Sequence, residues 1–190
     1  DEINKVSILS HNHVPTAAGL ASSASGFAAL TIASNRFFEK DLSIDKLAAI
    51  SRSGSGSACR SFYGGFVAWE SDGSVYQVES SYNDFIMIAV IIETKKKHLS
   101  SRVAMKRTVE TSPLYPLWVE TANHDFIEMK KALLAGKIDK VGELVERSSK
   151  LMHATMLAAS PPIQYLNKKA IKVWEIVHQL RSEGLYAYAT

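Results

Sequence analysis

From Val14 to Leu30 the chain reads VPTAAGLASSASGFAAL, with no charged side chain anywhere in the run. Pro15 and Gly19 punctuate the backbone as turn residues, and the alanines and leucine beyond Ser22 favour helix. Ahead of them "VSIL" (Val6 to Leu9) reads as a short strand. Phe27, Leu30 and Phe37 recur at helical spacing as far as about Phe38. The chain is thereby held to a strand–loop–helix unit whose helix opens on bare backbone amides. Such an opening carries unpaired N–H groups and a partial positive charge, and Gly19 and Ala21 let a ligand approach. Ser22 and Ser23 add hydroxyls able to bond phosphate oxygens or a magnesium ion's water. On the residues alone two readings stand open. One is an anion cradle at Gly19 to Ser23; the other is an ordinary core helix capped by serine. Neither a Walker loop nor a G-x-G-x-x-G motif is present.

The rest of the chain alternates in kind. A second helix is expected over Ile44 to Ser51. "FVAWE" and "VYQVE" flank Ser71-Asp72-Gly73-Ser74, an Asp-Gly hairpin signal. "FIMIAVII" (Phe85 to Ile92) has strand length. Beyond it Trp118, Ala122, Phe126, Met129 and Leu133 give one helical face, and Ile138, Val141, Val145 and Met152 another, ending before Pro161-Pro162. Ala170, Trp174, Val177 and Leu180 mark a last helix stopped by Gly184, and "LYAYAT" returns to strand. Trp118 and Trp174 are core by default. The order is mixed α/β, with a boundary near residue 84 separating domains 1–84 and 85–190.

With 46 % hydrophobic and 22 % charged residues in 190, the composition is globular, sufficient for one or two domains. A net charge of +3 suits an anionic ligand and makes no case for nucleic acid. The single cysteine, Cys59, excludes an internal disulfide and suggests a reducing, cytoplasmic setting. No apolar run approaches the roughly 20 residues that cross a bilayer, so no membrane partner is expected. No signal peptide is expected ahead of the first strand. The chain opens at Asp1 without methionine and stops at Thr190 inside an apolar run, so both ends are expected to be cut from something longer.

Two further stretches carry polar chemistry. In "SGSGSACRS" (residues 53–61) glycines free the backbone, and a helix beginning near Ser57 would set Ser57, Arg60 and Ser61 on one face. An arginine fork beside serines and amides suits carboxylate or phosphate; a Gly/Ser turn with a surface arginine is the plainer alternative. In "KKKHLSSRVAMKR" (residues 95–107) Arg102 and Lys106 stand i, i+4 behind Ser101, while Lys95, Lys96 and Lys97 read as a solvated face. The histidines His11, His13, His98, His124, His153 and His178 show no metal-binding spacing. No histidine spacing pairs with Cys59 as a nucleophile.

"PTAAGLASSAS" and "SGSACRSFYGGFVAW" together resemble the mevalonate diphosphate decarboxylase family of the GHMP kinase superfamily, and the likeness runs through nearly the whole chain. It implies a two-domain α/β fold, with a ribosomal-protein-S5-like first part and a ferredoxin-like α/β second part. It implies ATP-dependent decarboxylation of (R)-5-diphosphomevalonate to isopentenyl diphosphate, through phosphorylation of the 3-hydroxyl, in isoprenoid and sterol biosynthesis. ATP would lie on Ala17, Ala18, Gly19, Leu20, Ala21, Ser22 and Ser23, with Mg²⁺ held through ATP and Ser22 or Ser23. Substrate would meet Ser55, Gly56, Ser57, Ala58, Cys59 and Arg60, together with Ser101, Arg102 and Lys106. Arg60 would face the carboxylate, and Cys59 would be a packed neighbour. The family shares a Met-His-Ala at His153, which leaves that residue either interior or site-lining. Members carry a further strand-and-loop unit before residue 1, and their catalytic aspartate lies in a D-A-G-P-N segment just after Thr190. A cytoplasmic homodimer is expected. A related mevalonate or phosphomevalonate kinase or decarboxylase, and a non-catalytic binding protein on the same fold, stand as alternatives.

Overall fold

The computed structural model describes residues 6–13, 20–82, 84–92 and 99–190. It divides into two compact units, Asp1–Gln77 and Val78–Thr190.

In the first unit, helices α1 (Ser22–Phe37) and α2 (Ile44–Ser51) and a 3₁₀ helix (Gly56–Phe62) pack on one another. The buried positions are mostly small: Ala24, Ala28, Ala48, Ala58 and Cys59, with Leu47. Small side chains let backbones approach closely, which is why an alanine-rich α1 seats here. Strands β1 (Phe66–Trp69) and β2 (Val75–Val78) form the expected hairpin. Its turn needs a positive φ at Gly73, +92°. The Asp72 carboxylate accepts the Ser74 N–H at 2.8 Å and its hydroxyl at 2.7 Å. Those bonds hold its pKa below the usual carboxylate range. Arg52 Nη1 donates to the Gly73 carbonyl at 2.6 Å, tying the end of α2 to the turn.

The second unit holds α3 (Ser101–Thr111), α4 (Tyr115–Leu134), α5 (Ile138–Leu157) and α6 (Lys168–Ser182). Ser100 caps α3, accepting from Val103 N at 3.3 Å, and Asn167 caps α6, accepting from Ala170 N at 3.0 Å. Both α3 and α4 pack on α5. Ala104, Met156, Ala159 and Ile163 form a core cluster with Leu99 and Tyr165 against it. The buried face of α5 runs through Val141, Leu144, Thr155 and Met156, while Met152, expected on that face, is 38 % exposed. Trp118 and Trp174 are half-buried, not enclosed. His153 meets the edge of the Trp174 ring at 6.5 Å between centroids.

Three expected strands are not paired among the described residues. Residues 6–9, 85–92 and 185–190 carry no ladder, and among the described residues the only sheet is β1–β2. A strand needs a ladder partner, and among the described residues no ladder pairs the first two runs, where Leu9 is 99 % and Met87 91 % exposed. The last run satisfies its backbone through side chains. Arg181 Nε and Nη2 donate to the Ala187 carbonyl at 3.0 and 2.9 Å, and Ala189 N–H donates to Glu146 Oε1 at 3.0 Å. Glu146 also accepts from Arg181 Nη2 at 2.5 Å and pairs with Lys150 at 3.4 Å.

Candidate functional site

At the start of α1 the chain makes an unusual entry. Ala17, Ala18 and Gly19 lie outside the described residues; Leu20, Ala21, Ser22 and Ser23 lie within them. The N-cap position is Ala21, in the left-handed region at φ 52°, ψ 34°, with no side-chain cap. Its carbonyl accepts from Ala24 N at 3.0 Å and Ser25 N at 3.3 Å. The N–H groups of Ser22 and Ser23 meet no acceptor among the described residues. The serine-capped helix is therefore not what forms: the serines stand one and two places inside the helix, with Ser23 exposed. No acidic residue occupies the first turn to oppose the helix dipole. A non-glycine residue at this φ costs on the order of 1 kcal/mol.

The second polar segment is a 3₁₀ helix where an α-helical spacing was expected. At about three residues per turn Ser57 and Arg60 eclipse, and Ser61 falls roughly a third of a turn away, off their face. Ser55 leads in with extended backbone (φ −149°, ψ 121°), and its carbonyl accepts from Ala58 N at 2.9 Å. Ala58 and Cys59 are fully buried, and the Cys59 thiol donates to the Gly56 carbonyl at 3.2 Å. The outward members are Gly56 and Arg60, with Ser55 and Ser57 half-buried. The helix exit is pinned where Tyr63 Oη donates to Asp45 Oδ1 of α2 at 2.6 Å. That hydrogen bond, with burial and the charge of Asp45, pushes the phenol up to about 12, so Tyr63 stays protonated.

The helix that follows the first segment, α1, packs on the second, and the Phe27 ring of α1 occupies the space a side chain on Gly54 would need. Neither Phe27 nor Gly54 carries a polar atom that a motif would signal. Trp69 on β1 was also silent in the sequence, yet the Arg60 guanidinium lies over its ring at 5.6 Å from the centroid.

Ser101, Arg102 and Lys106 belong to the second unit, on the first two turns of α3. Ser100, not Ser101, caps that helix. Arg102 and Lys106 are exposed, and Lys106 stands 3.8 Å from Glu110 in a solvated pair of little energetic weight. Lys95, Lys96, Lys97 and His98 lie outside the described residues. Among the described residues no cluster of histidine, cysteine or carboxylate could hold a metal. A magnesium ion here would depend on phosphate oxygens and the serine hydroxyls, which suits an ion that keeps much of its water.

Two family models match. The diphosphomevalonate decarboxylase-like N-terminal domain covers residues 1–83, and the mevalonate 5-diphosphate decarboxylase C-terminal domain covers residues 86–189. The diphosphomevalonate decarboxylase of Candida albicans is 39 % identical over 97 % of this chain and 54 % of its own length. The mevalonate pyrophosphate decarboxylase structure from Streptococcus pyogenes superposes with a TM-score of 0.84 at 38 % identity, over 93 % of this chain and 56 % of that one. A second structure, MDDEF in complex with MVAPP, AMPPCP and magnesium, gives a TM-score of 0.79 at 36 % identity, over 92 % and 56 %. The chain spans about half the length of the curated relatives it matches. The fold is the α/β fold of the GHMP kinases, as the resemblance implies. With both models matched in sequence order and identity near 38 % sustained along nearly all of its length, the chain belongs to the diphosphomevalonate decarboxylase family.

Proposed function

We propose that this chain carries nucleotide- and substrate-binding parts of an ATP-dependent decarboxylase acting on 5-diphosphomevalonate. The reaction consumes one ATP and yields isopentenyl diphosphate, CO₂, ADP and phosphate. ATP, with Mg²⁺, supplies the phosphoryl group that turns the tertiary 3-hydroxyl into a leaving group. The observation that supports this most is that α1, whose first turn is uncapped, packs in one compact unit on the 3₁₀ helix that carries Arg60.

The residues divide the work by charge and hydrogen-bonding type. The N–H groups of Ser22 and Ser23 and the serine hydroxyls bind nucleotide phosphates, with Leu20 and Ala21 shaping the approach and Ala17, Ala18 and Gly19 continuing the loop. Magnesium is held through those phosphates and Ser22 or Ser23. Arg60, a permanent cation with a planar fork of donors, orients the substrate carboxylate. Ser55, Ser57 and the Gly56 backbone bind the diphosphate; Ala58 and Cys59 support the turn from inside. Ser101, Arg102 and, less directly, Lys106 add donors to the substrate phosphates. Holding the reactants in line and neutralising charge is what phosphoryl transfer asks of a protein. The catalytic aspartate follows Thr190 in this reading, and the enzyme works as a cytoplasmic homodimer.

The test is incubation of the full-length gene product with 5-diphosphomevalonate, ATP and Mg²⁺ while CO₂ and ADP are followed together. Equimolar release of both is expected. ADP without CO₂ would mark a kinase, and binding without either product a non-catalytic relative.

A further inference from the structure

We propose that Trp69 is a positioning residue for Arg60, an aromatic platform that sets the direction in which the guanidinium meets an anionic substrate. This rests on the reading of Arg60 given above. Along β1 Ala68 is buried, and the next residue, Trp69, alternates to the other side with 38 % of its surface exposed. The indole there serves no enclosed core. It touches the substrate segment twice. The Arg60 guanidinium carbon lies 5.6 Å from the ring centroid, and a side chain on Gly56 would come within 3.2 Å of Trp69 Cη2. One rigid ring therefore underlies both the first residue of the 3₁₀ helix and the arginine four places on.

The chemistry of the pair favours this role over simple cover. A guanidinium meets an aromatic ring through its face, while its N–H donors point outward in its own plane. A guanidinium held over the Trp69 ring, 5.6 Å from its centroid, keeps N–H donors directed away from the ring for a carboxylate. Among the described residues no carboxylate or carbonyl accepts from Arg60, so the ring is the contact that restrains its head. A long exposed side chain otherwise gives up substantial rotamer freedom when it binds, and the platform removes part of that loss beforehand.

The experiment is a double-mutant cycle in the full-length protein with Trp69→Leu, Trp69→Phe and Arg60→Ala. It is read by calorimetric binding of 5-diphosphomevalonate and of an ATP analogue, and by kcat/KM where turnover allows. Trp69→Leu is expected to weaken substrate binding about two- to five-fold, the range of an exposed cation–π contact, with nucleotide affinity unchanged. Trp69→Phe should retain most of the wild-type value. In the Arg60→Ala background Trp69→Leu should have no further effect on substrate. The same loss in both backgrounds, or equal loss for substrate and nucleotide, would overturn the proposal. If Trp69→Leu fails to fold by circular dichroism, the cycle run with Trp69→Met, which also removes the ring, decides, coupling supporting the role and additivity refuting it. Absence of CO₂ release by the wild type would sink the functional reading alone, since the binding cycle still reports whether Trp69 acts through Arg60.

Discussion

Replacing Gly54 by alanine puts a methyl group where the Phe27 ring of α1 lies. Two effects oppose each other. Gly54 does not have a positive φ, so alanine is conformationally tolerated, and the smaller freedom of the unfolded chain stabilises by about 0.4–1 kcal/mol. Against that, the ring must move. It is 38 % exposed, so well over half of it is covered. Full burial of a phenylalanine is worth about 1.5–3 kcal/mol, which makes giving up this packing a loss of about 1–2 kcal/mol. The clash should win by a modest margin. In Phe27→Ala protein the obstacle is gone, and Gly54→Ala should then be neutral to stabilising. The assay is urea denaturation of the four proteins of the cycle, comparing midpoints at unchanged slope. Because the displaced ring holds α1 against the turn that leads into the 3₁₀ helix, Gly54→Ala should also weaken nucleotide and 5-diphosphomevalonate binding together. A change of the same sign and size in both Phe27 backgrounds would refute the reasoning, since the ring would then not be what the methyl group meets.

The two halves of the proposed site should separate by substitution. Arg60→Ala removes charge-assisted bonds worth about 1.5–3 kcal/mol and should lower kcat/KM for 5-diphosphomevalonate at least ten-fold while leaving the KM for ATP; unchanged kinetics would remove Arg60 from the site. Ser23→Ala should do the reverse, raising the nucleotide KM, and a normal KM with a normal kcat would dismiss its role. Burial pushes the Glu146 carboxyl up, but the Ala189 N–H, the Arg181 guanidinium and Lys150 outweigh it and hold the group below the usual glutamate range. The unfolded chain therefore takes up this proton at a higher pH than the folded one. Its contribution to stability is complete above about pH 4.3, the ordinary glutamate value, and is lost as pH falls through the lower folded value. Thermal melts across that acid window should show a steeper decline for wild type than for Glu146→Gln, and parallel declines would exclude Glu146 as a source.

The helices were legible because their information is local. Ile44 to Ser51 announces itself by spacing, and α4 and α6 appear where Trp118–Leu133 and Ala170–Leu180 repeat at three and four. The hairpin was legible because Asp72-Gly73 brings each strand its own partner. The runs at 6–9 and 85–92 have the composition of strands and no paired strand among the described residues, so composition alone could not decide their state. Residues 185–190 differ again. A strand was expected, but a glutamate from α5 and an arginine from α6 take its hydrogen bonds. No local pattern encodes that choice, because the three partners are separated along the chain.

At the site, residue types were legible and geometry was not. Ser22 and Ser23 declared hydroxyls at a helix start, but whether one of them caps the helix is decided by a single backbone angle, that of Ala21. Had Ser22 stood at the cap position, its side chain could have accepted from the first amides and the anion reading would have lost its donors. With Ala21 there instead, in a region L-residues enter at a cost, those amides are left unanswered by the chain among the described residues. Such strain persists only where the surroundings over-determine it. Here they include the alanine face of α1, fixed by Ala24 and Ala28 against its neighbours. The tertiary packing that seats α1 is thus also what keeps its first turn uncapped. For that reason the sequence supplied both readings of the segment, and the backbone places Ser22 and Ser23 inside the helix instead of at its cap.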